Sequence, residues 1–187
     1  MGRGEPAQAV TVRELAPGET ALAWEALREL RPQHDARDAL VARIDELQRP
    51  EGYRIVASFE PGIDQARAVA GFRVGHNLAW GRFLYVDDLC TVSEARGRGH
   101  AGRLLAWVAK EAARQGCDSV ELDSGVGPDR QDAHRRYFDS GMRIASYHFT
   151  WAPQGWTRPT SSRSPVISTR SGTTAASAIS PIPTRPA

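Results

Sequence analysis

The segment that decides the fold is DDLCTVSEARGRGHAGRLLAWVAKEAARQG, residues 87–116. An apolar strand runs into it, a turn rich in glycine and arginine follows at residues 96–102, and a helix leaves that turn. Leu104 and Val108 repeat at helical spacing, and Gly116 marks the end of the helix. Glycines let the backbone approach a ligand, and free N–H groups at a helix start attract anions. The turn therefore predicts a phosphate-binding site.

Two common phosphate-binding loops fit this turn only in part. Its glycines satisfy GxGxxG, and Glu121 lies downstream at about the distance of a ribose contact in dinucleotide-binding folds. That fold requires several more parallel strands, for which too few residues remain. The spacing also resembles a P-loop, but Arg103-Leu104 stand where Lys and Ser or Thr are required. A turn that binds no ligand is disfavoured by three glycines and two arginines in seven residues.

The remaining elements place this turn in a mixed α/β fold. Hairpins dominate the first half and one βαβ crossover follows, so we expect a mixed, mostly antiparallel sheet with flanking helices in the order β-α-α-β-β-β-α-β-α-β. A bulge is expected near Asp87-Asp88, inside an unusually long strand. Strands are predicted at 11–15, 53–59, 66–74, 80–92, 119–123 and 142–151, and helices at 19–30, 35–48, 99–115 and 130–140.

Composition divides the 187 residues into two parts. Residues 1–152 have the apolar content of one globular domain, whereas residues 153–187 are rich in Pro, Ser and Thr and are expected to be disordered. From Pro153 onward there are four arginines and no acidic residue, so residues 1–152 carry a net charge of about −2. This balance argues against nucleic acid as a partner.

Several other classes of protein are disfavoured. No apolar run reaches the roughly 18 residues of a membrane span, and the first residues contain no hydrophobic signal region. The two cysteines, Cys90 and Cys117, form no CxxC, and there is no HExxH, so no metal is expected. Cysteine usage suits a reducing compartment, and we expect a cytoplasmic protein.

Three segments together resemble the GNAT acetyltransferase superfamily. Arg96-x-x-Gly99-x-Ala101 matches its R/Q-x-x-G-x-G/A signature, and the preceding residues 88–92 look like its fourth strand. Residues 133–137, Ala-His-Arg-Arg-Tyr, followed by Gly141, resemble its A-x-x-x-Y…G segment. The resemblance covers roughly residues 10–151. It departs from the pattern at Arg136, where an apolar residue is usual, and it lacks the asparagine often found before this helix.

The resemblance implies an acetyl-CoA site and an N-acetyltransferase that acts by direct attack of an amine. It implies that Tyr137 protonates the departing thiolate. The acceptor is expected to be a small-molecule or peptide amine, and a homodimer is left open. A non-catalytic acyl-CoA-binding regulator and a nicotinamide-dependent oxidoreductase are the alternatives. The cofactor residues it implies are Cys90, Thr91 and Val92 along the strand and Arg96, Gly97, Arg98, Gly99, His100, Ala101 and Gly102 in the turn.

The chemistry of amine acetylation also requires a proton acceptor. A primary amine with a pKa of about 10.4 arrives charged, and a carboxylate can take its proton directly or through water. Strand alternation predicts that at most one of Asp87 and Asp88 faces the cleft. We favour Asp88 slightly over Glu121. Cys90 is predicted to be a packing residue. His148 is predicted to face either the substrate or the core, with the core favoured, and Arg98 either screens phosphate charge or is solvated.

Overall fold

A computed structural model describes residues 9–151. The Pro/Ser/Thr-rich tail predicted at 153–187 lies outside the described residues. The strands are β1 (Thr11–Glu14), β2 (Arg54–Phe59), β3 (Ala68–Asn77), β4 (Gly81–Thr91) and β5 (Ser119–Leu122), and the helices are α1 (Trp24–Leu30), α2 (Arg37–Arg43), α3 (His100–Arg114) and α4 (Gln131–Asp139).

The five strands form one sheet in the order β1-β2-β3-β4-β5. Neighbours from β1 to β4 are antiparallel, and β4 and β5 are parallel because α3 crosses between them. This arrangement confirms the mixed, mostly antiparallel α/β fold with flanking helices. The predicted bulge is also confirmed: Gly71 pairs with Asp88 and Phe72 with Val86, so Asp87 is the extra residue.

Both faces of the sheet are covered by apolar side chains. Alternation along β2 sends Ile55 to one face and Val56 to the other, and both side chains are fully buried. The first face packs against α1 and α2, and the second packs against α3. The first cluster includes Leu15, Leu27, Leu40, Ile44, Tyr53 and Ile55, and the second includes Val56, Phe72, Leu84, Leu104 and Val108.

The helices before β2 are shorter than the sequence pattern predicts. A 3₁₀ turn at Thr20–Ala23 precedes α1, and α2 continues as a π-helical turn at Ile44–Gln48. The next turn, Arg49–Glu51, ends at Gly52, which has a positive φ of 85°. Within residues 9–151, no helix combines the length and apolarity needed to cross a bilayer.

The last predicted strand, Met142–Trp151, is absent from the described structure. Residues 142–151 follow α4 without regular structure, and the side chains of Ile144, Tyr147, Phe149 and Trp151 are exposed. Apolar and polar residues alternate from Ala145 to Trp151, so the sequence does offer an apolar face here. Within the described residues, however, no strand pairs with this segment, and its aromatic side chains stay exposed. The prediction was wrong because alternation alone does not supply the neighbouring strand whose hydrogen bonds a strand needs.

Candidate active site

The turn between β4 and α3 has a conformation that requires glycine. Gly97 and Gly99 have φ values of 77° and 83°, in the left-handed region, and Gly99 stands immediately before the helix. Arg103 donates its N–H to the Gly99 carbonyl at 3.2 Å. Among residues 9–151, no acceptor takes a hydrogen bond from five preceding N–H groups. These belong to Gly97, Gly99, His100, Ala101 and Gly102.

Five free donors at the start of a 15-residue helix can bind an anionic group through the backbone. The positive end of the helix dipole favours the same charge. The turn therefore fits the phosphate part of a nucleotide cofactor, as the sequence predicts.

Two arginines of the turn are already engaged by carboxylates. Arg98 Nη1 donates to both carboxylate oxygens of Glu60, at 3.0 and 3.1 Å. Arg96 Nη2 donates to Glu29 Oε2 at 3.0 Å. These ion pairs attach the turn to the rest of the fold. The predicted role of Arg98 in screening phosphate stays a prediction.

His100 faces the protein interior. Its ring lies 2.8 Å from Ser58 Oγ through Nδ1 and 3.0 Å from Glu60 Oε1 through Nε2, and the residue is 1% exposed. The hydrogen bonds from His100 and Arg98 lower the pKa of the Glu60 carboxyl below its usual value. Of the predicted cofactor residues, His100 therefore offers a ligand only its backbone N–H.

The strand before this turn has an open edge. Pairing of β4 with β5 ends at Val86 and Leu122, whereas β4 continues to Thr91. Within the described range, no strand pairs with residues 87–91 on that side. An extended chain such as a pantetheine arm can add to an edge of this kind through backbone hydrogen bonds.

Cys90, Thr91 and Val92, the predicted cofactor residues of the strand, differ in which of their polar groups are still available to a ligand. Val92 is buried and donates its N–H to the Arg67 carbonyl at 3.0 Å, and the Thr91 carbonyl accepts from Arg96 Nε at 3.3 Å. Burial raises the pKa of the Cys90 thiol to about 11, so the thiol is protonated at neutral pH. Cys90 packs against the first core cluster, in agreement with its predicted packing role.

The bulge brings both neighbouring aspartates to the same cavity. Asp88 accepts hydrogen bonds from Arg31 Nε at 2.8 Å and from the Tyr53 hydroxyl at 2.7 Å. Asp87 accepts from Arg73 Nε at 2.9 Å. Both aspartates line the cavity, so the expectation that at most one faces the cleft is wrong. The extra residue of the bulge interrupts the strand alternation on which that expectation depended.

Burial raises the pKa of the Asp87 carboxyl above its usual value, and the neighbouring Arg73 opposes this effect. Burial also raises the pKa of Tyr53, well above the usual tyrosine value, and Asp88 adds to it. Both groups therefore hold their protons more tightly than free side chains do.

A glycine makes room for the tyrosine that contacts Asp88. A Cβ atom built on Gly71 would lie 1.8 Å from the Tyr53 hydroxyl oxygen and 2.4 Å from Cζ. Gly71 pairs with Asp88 across the bulge. Because Gly71 has no side chain, the Tyr53 ring can lie against β3 at this position, and its hydroxyl reaches the Asp88 carboxylate.

One large cavity unites the three predicted catalytic residues. It has a volume of about 1380 Å³ and is lined by Tyr137, Asp88 and Glu121. Tyr137 is 9% exposed, and within residues 9–151 its hydroxyl makes no hydrogen bond. Leu105 and Ala109 of α3 line the same cavity, whereas the turn at 96–102 lies outside the lining.

A comparison of the sequence with protein-family models shows which family has this combination of fold and turn. The model of the acetyltransferase (GNAT) family matches residues 20–142. The chain belongs to the GNAT acetyltransferase family. No curated protein sequence matches the chain.

Solved structures show the same fold. The aminoglycoside N-acetyltransferase AAC(6′)-Iy in complex with CoA is 16% identical, with a TM-score of 0.67 over 78% of this chain and 95% of that one. A putative acetyltransferase from Agrobacterium tumefaciens is 20% identical, with a TM-score of 0.65 over 76% and 99%. The glucosamine-6-phosphate N-acetyltransferase of Arabidopsis thaliana is 16% identical, with a TM-score of 0.59 over 78% and 99%.

Within this GNAT fold, two side chains differ from the sequence-based expectation. Tyr53 lay unnoticed in a run of strand residues, where nothing in the sequence indicates its contact with Asp88. His148, for which the core was favoured over the substrate side, has a side chain that is 66% exposed, lines the cavity, and places Nδ1 3.0 Å from Asp123 Oδ2. No group of three or more potential metal ligands lies together within residues 9–151.

Proposed function

We propose that this GNAT protein transfers an acetyl group from acetyl-CoA to a primary amine of a small molecule or peptide. The observation that carries the proposal is the set of five free N–H groups at the start of α3. An anionic cofactor satisfies them, and acetyl-CoA supplies an activated acetyl group as a thioester. The aminoglycoside and glucosamine-6-phosphate enzymes of this fold, named as N-acetyltransferases, support an amine acceptor.

In this proposal the cofactor is held by backbone rather than by charged side chains. The free N–H groups of residues 97 and 99–102 bind the pyrophosphate, and the free edge of β4 at residues 87–91 pairs with the pantetheine arm. The gap between β4 and β5 directs the thioester end toward the cavity. That cavity contains the side chains that handle protons.

Glu121 and Asp88 are the proposed proton acceptors for the amine. Asp88 is already bound by Arg31 and Tyr53 and is largely buried, whereas Glu121 contacts no hydrogen-bond donor within the described residues. These contacts favour Glu121 for taking the proton, directly or through one water molecule. Asp88 supplies a fixed negative charge that orients the ammonium group before it loses the proton.

Tyr137 is the proposed proton donor to the departing sulfur. Its hydroxyl borders the cavity and is not committed to any described acceptor. The amine nitrogen forms a bond to the acetyl carbon while the carbon–sulfur bond breaks. Tyr137 donates its proton to the sulfur and is reprotonated from solvent, so no acyl-enzyme is required.

The test is release of free thiol from acetyl-CoA with a panel of small-molecule and peptide amines, together with the mass of the acetylated product. We expect at least one amine to give an increase of about 42 Da, the mass of an acetyl group replacing a proton. The rates of thiol release by the Glu121→Gln and Asp88→Asn variants are compared with the wild-type rate as functions of pH. CoA binding without turnover of any amine would favour the regulatory module, and nicotinamide binding that CoA does not displace would contradict the proposal.

A further inference from the structure

The arginines in and beside the phosphate-binding turn are turned toward acceptors within the protein. Arg96 donates to Glu29, Arg98 donates to Glu60, and Arg103 Nη1 donates to the Arg98 carbonyl at 2.8 Å. These contacts fix the turn but occupy its guanidinium groups. The positive charge that a bound anion needs at this turn can instead come from a side chain on a neighbouring helix.

Helix α4 brings such a charge to the turn. A Cβ atom built on Gly102 would lie 3.8 Å from Arg136 Nη1 and, apart from its two chain neighbours, would meet no other described side-chain atom within 4 Å. Gly102 is one of the five residues with a free N–H. The nearest carboxylate oxygen to Arg136, on Asp139, is 3.8 Å from Nη1, beyond hydrogen-bond distance, and Arg136 is 47% exposed at its side chain.

We propose that Arg136 binds the pyrophosphate of the CoA-type cofactor from α4, opposite the N–H groups of the turn. This inference rests on the proposed function. A guanidinium group presents paired donors that match phosphate oxygens, so Arg136 adds charge where the turn supplies only dipoles. It also gives a physical role to the residue at which this chain departs from the apolar residue usual before the family's tyrosine.

The same helix offers a matched control. Arg135 is the preceding residue, is 73% exposed at its side chain, and pairs with Asp132 at 3.4 Å. One residue along a helix rotates a side chain by about 100°, so Arg135 leaves α4 in a different direction from Arg136. Removing either arginine changes the net charge equally. Only Arg136 approaches Gly102.

The experiment measures the dissociation constants of CoA and dephospho-CoA by calorimetry for the full-length wild type, Arg136→Gln, Arg136→Lys and Arg135→Gln. Dephospho-CoA retains the pyrophosphate and lacks the 3′-phosphate. We expect Arg136→Gln to weaken binding of both ligands about 10-fold or more, Arg136→Lys to weaken it less, and Arg135→Gln to stay within about twofold. The melting temperature without ligand should not change. Arg136→Met, which retains the aliphatic stem, replaces Arg136→Gln if the latter does not fold.

Equal affinities of Arg136→Gln and Arg135→Gln, with a wild type that binds CoA, would overturn this inference and leave the proposed function intact. Weaker binding of CoA but not of dephospho-CoA would place Arg136 on the 3′-phosphate and overturn the pyrophosphate assignment. A wild type that binds neither ligand would reject the proposed function, and this inference with it.

Discussion

Gly71→Ala, a change on strand β3, should disrupt the part of the cavity that is lined by Asp87 and Asp88 on the neighbouring strand β4. The added Cβ would lie 1.8 Å from the Tyr53 hydroxyl oxygen and within 2.7 Å of two ring carbons, far inside van der Waals contact. Tyr53 is 2% exposed and packed in the first core cluster, so its ring has little room to move. Relief therefore requires the ring to shift and its 2.7 Å hydrogen bond to Asp88 to break.

The expected cost combines two terms. Overpacking a core costs about 1–3 kcal/mol, and a lost hydrogen bond to a charged group costs about 1.5–3 kcal/mol. We therefore expect a loss of roughly 3–5 kcal/mol, which corresponds to a melting temperature about 10 °C lower in a chain of this size. Denaturant unfolding with the melting temperature gives the measurement. Activity should fall as well, because Asp88 loses a partner.

The control is Gly125→Ala, for which the new Cβ would meet Arg130 Cγ at an ordinary 3.5 Å. Its stability should stay within about 0.5 kcal/mol of the wild type. Tyr53→Phe removes the closest clashing atom, so the double variant Gly71→Ala/Tyr53→Phe should lose less than the two single changes added together. Wild-type stability in Gly71→Ala, or strict additivity in the double variant, would refute the reasoning.

Three other changes test two parts of the site and one ion-paired carboxylate of the fold. Tyr137→Phe should lower kcat about 10²-fold or more with little change in acetyl-CoA affinity, and full kcat on a good acceptor would assign Tyr137 to the core. Gly99→Glu should abolish the rise in melting temperature that acetyl-CoA causes. The control Gly116→Glu, at another glycine with a positive φ beyond α3, should retain this rise. A rise retained in Gly99→Glu would reject the turn as the phosphate site. Hydrogen bonds, of which the one from Arg114 contributes most, lower the pKa of Glu111 to about 2. Because this pKa lies below the ordinary value of 4.5, the ionised carboxylate contributes its full stabilisation of the fold above pH 4.5, and this contribution is lost as the pH falls toward 2. Glu111→Gln should therefore be less stable than wild type at pH 7, with a difference in unfolding free energy that narrows toward pH 3; a difference independent of pH would contradict this assignment.

The parts of the fold that sequence could predict are those set by local pattern. Leu104 and Val108 at helical spacing, and the glycines before them, predict α3 and its turn from neighbouring residues alone. The bulge was also predictable, because two adjacent aspartates interrupt an otherwise apolar strand. Its consequence was not: strand alternation placed Asp87 and Asp88 on opposite faces, whereas the inserted residue brings both to one cavity.

Contacts between distant elements could not be predicted in this way. Arg31 lies 57 positions before Asp88 and Tyr53 lies 35 before it, and no local pattern records that the three meet. Local pattern likewise does not record that Glu29 and Glu60, from other elements, engage Arg96 and Arg98. It also does not record that Arg136 approaches Gly102. Residues 142–151 show the same limit, because Ala145 to Trp151 alternate apolar and polar residues and yet pair with no strand within the described residues.

The short parallel seam between β4 and β5 also sets how the molecule opens. β3 is ten residues long and pairs with β4 throughout, whereas β5 is four residues long and meets β4 only along that length. The amide protons of β5 should therefore exchange with solvent sooner than those of β3. In the proposed complex the pantetheine arm pairs with β4 directly beyond the end of β5. A ligand that must leave before β5 opens slows this exchange in proportion to one plus the ratio of free ligand to its dissociation constant. The exchange rates of the Ser119–Leu122 amides would then report how fully the cofactor site is occupied.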